Sequence, residues 1–114
     1  MDLIEIQQRV SVEIDNYIYE YPPSMVGDPW PAEKVEALLR SFRTALIDPY
    51  WVDALLPSAA NQRVTRCAIV AGHGDDYLVA FDPTTNEFFL AVRTDNGVTS
   101  IGVYGDAVGC WMAR

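Results

Sequence analysis

The apolar positions of the chain change period partway along it. Over residues 3–21, Leu3, Ile6, Val10, Ile14, Tyr17 and Tyr21 recur every three or four positions, the spacing that lines one side of an α-helix. Tyr21-Pro22-Pro23 predicts its end, because a residue before proline is pushed out of the helical region. A second stripe, Val35, Leu38, Leu39, Phe42 and Leu46, predicts another helix, with Pro31 at its first position and Asp48-Pro49 as its stop. Beyond residue 62 the pattern becomes one of short alternating runs, 64–70, 77–81, 87–92 and 99–103, which read as strands.

The segments between these runs have hairpin chemistry. Asp95-Asn96-Gly97 supplies residues that tolerate the positive φ of a type I′ turn. In Asp82-Pro83-Thr84-Thr85-Asn86, Asp82 can bond back to its own turn, Pro83 fixes φ and Asn86 accepts a left-handed conformation. Gly72-His73-Gly74-Asp75-Asp76 reads as a tight turn. Residues 50–56, with Tyr50, Val52, Ala54 and Leu56 on one face, read as an edge strand, and Asp106 suits the cap of a short last helix. The expected architecture is therefore α+β: two N-terminal helices packed on a four- or five-stranded, mainly antiparallel sheet, with a short C-terminal helix.

Length and charge narrow the classes. The 114 residues suit a single domain, 1–114, with its own core. A formal charge of −8 repels phosphate backbones and excludes the basic, aromatic-interleaved stripe that nucleic-acid binding needs. No run of eighteen apolar residues suggests a membrane span, and no basic-then-apolar leader opens the chain, so the expected location is cytoplasmic. Cys67 and Cys110 lack disulfide-scaffold density and metal spacing, and both read as small buried residues.

Candidate chemistry is sparse. His73 is the only side chain whose unperturbed pKa lies near neutrality, and Asp75 and Asp76 could orient it, but it sits between two glycines in a turn. Asp75, Asp76 and Asp82 could offer oxygens to a hard cation, although the spacing lacks the glycine and terminal glutamate of a calcium loop. Gly102, Gly105 and Gly109 miss the dinucleotide fingerprint and point instead to a close strand–helix approach. Arg66 and Arg93 read as solvated salt-bridge partners. The expectation is a protein without enzymatic activity, metal or cofactor.

Binding is the remaining class. The polar side of the first helix carries Asp2, Glu5, Glu13, Asp15 and Glu20 against Arg9 alone, and Trp30 stands in the stiff proline-rich linker 22–31. Glu13, Asp15, Glu20 and Trp30 are the candidate partner-binding residues, the acids steering a basic partner and the indole anchoring it. Trp30 also fits a plug at the end of a helical hairpin.

Strand Tyr77 to Phe81, turn Asp82 to Asn86, strand Glu87 to Val92, and a last strand near Val103 running into a helix by Met112 together resemble the small SUKH-type immunity proteins of bacteria over residues 77–112. That resemblance implies a protein that binds and neutralises a toxin, often a nuclease, without chemistry; it supplies no specific toxin-contact residue. By size, charge and element order the chain also resembles small acidic secretion chaperones, which implies a homodimer holding an unfolded client segment. A third class, a ligand-binding or enzymatic domain, would need a deep pocket uniting distant residues.

Overall fold

A hairpin-connected strand series runs alternately up and down, so its first and fifth strands point the same way and can meet only as a parallel pair. The computed structural model, which describes residues 1–20, 27–57, 62–72, 77–95 and 97–114, closes in this manner. Its elements are α1 (Leu3–Asp15), α2 (Ala32–Ala45), β1 (Leu46–Pro57), β2 (Gln62–Ala71), β3 (Leu78–Asp82), β4 (Glu87–Thr94), β5 (Gly97–Gly105) and α3 (Ala107–Met112). Neighbouring strands pair antiparallel from β1 to β5, and β1 then joins β5 in parallel at Ala54 beside Val98 and Leu55 beside Thr99.

The expected sheet with helices laid on it is thus corrected to a closed five-stranded barrel with helices outside. The physical reason lies in the central strands. Cys67-Ala68-Ile69-Val70-Ala71, Leu78-Val79-Ala80-Phe81 and Phe88-Phe89-Leu90-Ala91 are buried without interruption, so both faces of each strand need covering. One set of alternate side chains, Cys67, Ile69, Leu78, Ala80, Phe89 and Ala91, joins Ala54, Leu56 and Val98 inside the barrel. The small Ala and Cys side chains in this set suit the narrow bore of five strands. The other set, including Val70, Val79, Phe81, Phe88 and Leu90, meets Ile6, Val10 and Ile14 of α1, Phe42 of α2, and Val108 and Trp111 of α3.

β1 is a closing strand rather than an edge. It follows α2 without a loop, because Leu46 leaves the helical region at φ −62°, ψ 137° while Gly72 N–H donates to the Ala45 carbonyl at 3.0 Å. Asp48-Pro49, expected to stop the helix, instead falls where the β1–β2 register slips between Leu46 and Tyr50. Proline is tolerated there because the ladder is already interrupted. Pro31 is the N-cap of α2, one position before the expected one.

α1 ends at Asp15, well short of Tyr21, which lies outside the described residues. The run Asn16-Tyr17-Ile18-Tyr19 has low helix propensity, and its aromatics gain more by docking elsewhere. Tyr17 packs against the helix-side core with its hydroxyl donating to Met112 Sδ at 3.4 Å.

α3 is only six residues long, so it depends on its surroundings. Asp106 caps it by accepting from Gly109 N–H at 3.2 Å, and a Cβ at position 109 would overlap that carboxylate. Gly109 is therefore a close-approach glycine, but Gly102 and Gly105 are not: they adopt φ +88° and +146° with open space around them. Trp111 stacks on Phe42 with centroids 5.0 Å apart, and its Nε1 donates to the Leu38 carbonyl and Ser41 Oγ, both at 3.1 Å. One indole thus fastens α3 to α2. Trp111→Ala is expected to lower stability by about 3–5 kcal/mol in urea unfolding, the usual loss for a core aromatic; a change below about 0.5 kcal/mol, the scale of ordinary surface substitutions, would contradict this role.

Candidate functional site

The four candidate partner-binding residues occupy different environments. Glu13 is half-buried, its Oε2 accepting from Ala107 N–H at 2.8 Å while Oε1 faces Arg9 Nε at 3.6 Å. Burial pushes its carboxyl above the ordinary value of 4.5, with repulsion from Asp106 adding to the rise; the Ala107 hydrogen bond and Arg9 oppose it without cancelling it. Glu13 therefore acts as a fastener between α1 and the start of α3. Asp15 accepts a hydrogen bond from Arg43, tying the C-terminal ends of α1 and α2. Glu20 is exposed.

Trp30 is the plug of a small aromatic stack. Its ring lies parallel to Tyr19 at 5.7 Å, its backbone N–H donates to the Tyr19 hydroxyl at 3.2 Å, and Lys34 Nζ sits 4.3 Å from its ring centroid. The stack is partly exposed, and Ile18 beside it is 79% exposed, the most open large apolar side chain described. Glu20 and Asp28 flank this platform along the chain, and both are exposed. Of the candidates, Trp30 thus belongs to the stack, Glu20 follows Tyr19 in the chain, and Glu13 and Asp15 have partners within the chain.

Charge is distributed unevenly between inside and outside contacts. Arg9 lies over Phe81 and Phe88 at 5.1 and 5.4 Å and donates to Asn86 Oδ1 at 2.6 Å, pinning α1 to the β3–β4 turn. Arg66 lies over Trp51 at 5.5 Å, Arg93 donates to the Tyr50 hydroxyl, and Arg114 lies over Trp111 at 3.4 Å. Arg66 and Arg93, expected to pair with acids, thus have aromatic partners instead. Arg63 donates to Asp82 Oδ2 at 2.8 Å and shields the one fully buried carboxylate described, whose Oδ1 accepts from Thr84 N–H at 2.9 Å as the turn chemistry predicts. Asn86 adopts the expected left-handed conformation at φ 58°. Apart from Arg40, each cation thus has a ring, hydroxyl or carboxylate of the chain as partner, whereas Glu5, Glu20, Asp28, Glu33, Glu36, Asp48, Asp53, Glu87 and Asp95 stand exposed without an ion pair among the described residues.

Other candidate chemistry gains no geometry. His73, Asp75 and Asp76 lie outside the described residues, as does Asn96. Among the described residues there is no pocket and no grouping of His, Cys, Asp and Glu able to hold a metal. Cys67 and Cys110 are free and lie in different layers, the barrel interior and the helix-side core, and burial pushes each thiol up to about 12. No described helix is long and apolar enough to cross a membrane. The Arg63–Asp82 pair and the aromatic seats of the arginines escaped sequence reasoning, because each joins residues distant in the chain.

The raised Glu13 pKa has a definite sign. The folded state binds this proton more tightly than the unfolded chain, so Glu13 lowers stability as pH rises from its ordinary value through its folded value. Glu13→Gln keeps an oxygen for Ala107 N–H and cannot ionise. Urea unfolding at several pH values from about 4 to 7 is expected to show the stability difference moving in favour of the variant as pH rises, then levelling. A difference that is flat or moves the other way would contradict the burial argument.

Comparison with known proteins finds no matching family model, no matching curated protein and no matching solved structure.

Proposed function

We propose that the protein is a non-catalytic binding domain whose acidic surface captures a basic protein partner in the cytoplasm. The observation that carries this reading is how charge is partnered: all the cations but Arg40 contact a ring, a hydroxyl or a carboxylate of the same chain, while most described carboxylates face solvent without an ion pair among the described residues. A net charge of −8 displayed this way attracts a positively charged surface over roughly the 8–10 Å Debye length and raises encounter rates. It repels nucleic acid for the same reason.

The contact centre we propose is the Tyr19–Trp30 platform with Ile18 at its side and Glu20 and Asp28 flanking it. An ordered aromatic pair loses little conformational freedom on binding, and an apolar centre with a charged rim is the usual anatomy of a protein interface. Glu13 and Asp15 contribute by holding α1 in place beneath it. A basic nuclease toxin, the partner implied by the SUKH-type resemblance, has the complementary charge, since it must itself attract phosphate.

Affinity capture from the native source, followed by binding kinetics with the captured protein, tests the proposal. The partner should be basic, and its association rate should fall at least about tenfold between about 50 and 500 mM salt. Glu20→Lys with Asp28→Lys should reduce that rate, and Trp30→Ala should speed dissociation. An acidic partner, or binding indifferent to salt and to these substitutions with the fold intact, would refute it.

A further inference from the structure

Among the described residues, one row of outward-facing strand side chains, on one wall of the barrel, lies outside the cluster that the helices cover. There the strand register sets Val64 opposite Leu55, Leu55 beside Thr99 and Thr99 opposite Val92, a single row crossing β2, β1, β5 and β4. Ala54, Leu56, Val98 and Ala91, the neighbours of these residues along their strands, fill the barrel interior, so the row itself faces outward. Val64 is 68% exposed, and the other three are partly buried. Two residues along, Asp53 stands opposite Arg66. Arg66 leans over the Trp51 ring, and Asp53 is exposed and makes no ion pair among the described residues.

We infer that this wall receives a second copy of the chain in a two-fold symmetric dimer. Charge selects the occupant. A chain of net charge −8 repels its own copies wherever carboxylates dominate, but the β1–β2 part of this wall sets one acid opposite one base beside an uncharged pair, Leu55 and Val64. A two-fold contact requires a self-complementary patch, and an axis running along the strands between β1 and β2 provides one: Leu55 of one copy meets Val64 of the other, and Asp53 approaches Arg66. A strongly basic partner gains no such advantage at a locally neutral surface. The row spans three inter-strand spacings, about 14 Å. A single row of that length covers far less than the roughly 800 Å² per side of a standard interface, so the dimer is weak and forms as concentration rises.

Sedimentation equilibrium of the full chain from about 10 µM to 1 mM tests this, over the range in which a small interface populates a dimer. The weight-average mass should rise from 12.7 kDa toward twice that value. Val64→Asp, at an open position, should hold it at the monomer value throughout. Asp53→Arg should weaken association at least about tenfold, and Asp53→Arg combined with Arg66→Asp should restore it. Circular dichroism of each variant separates lost association from lost fold. A monomer at every concentration, or a dimer indifferent to Val64→Asp, would overturn the inference. A monomer in which Val64→Asp instead weakens a basic partner would overturn it too and assign the wall to that partner.

Discussion

The structure depends on covering three strands that are apolar on both faces. β2, β3 and β4 bury consecutive residues, so an open sheet with helices on one side would leave Cys67, Ile69, Leu78, Ala80, Phe89 and Ala91 facing water. Each medium-sized apolar side chain kept from water contributes about 1.5–3 kcal/mol, and the sum is large beside the typical stability of a domain. Curling the sheet until β1 meets β5 removes one apolar face, and the helices remove the other. With five strands in series the closing pair must be parallel, and it needs only the contacts around Ala54 and Leu55.

The helix layer is held by a few directional contacts over an apolar seam. Trp111 ties α3 to α2, Glu13 ties α1 to α3, Arg43 with Asp15 joins the ends of α1 and α2, and Arg9 ties α1 to the β3–β4 turn. The charged members, Glu13, Arg43, Asp15 and Arg9, lie at the margins of the seam, where each keeps a partner and part of its hydration. The same arrangement shapes the surface field: arginines engaged with partners in their own chain leave most exposed carboxylates without a counter-charge among the described residues.

Some of this was legible in the sequence. The faces of α1 and α2, the cap of α3 and the chemistry of the 82–86 turn follow from local spacing, and the structure places them as read. Helix ends were not legible, since Tyr17 and Tyr19 leave the helical path for partners at Met112 and Trp30. Closure was hidden by reading the strands as alternating and β1 as an edge; the five-residue apolar run at Cys67–Ala71 signals burial on both faces. Among the candidate binding residues, Trp30 could be recognised as anchor or plug. Nothing in the spacing showed that Glu13 would reach Ala107, ninety-four positions away.

The two cysteines report on the two layers separately. Cys67 lies inside the barrel and Cys110 beneath the helices. An open sheet covered on one face would expose Cys67 while protecting Cys110, so native-state labelling with a small thiol reagent, followed by peptide mapping, tests closure most directly. The closed barrel predicts that both thiols resist labelling and become reactive together as the whole domain unfolds. Rapid labelling of Cys67 while Cys110 remains protected would contradict the closed barrel.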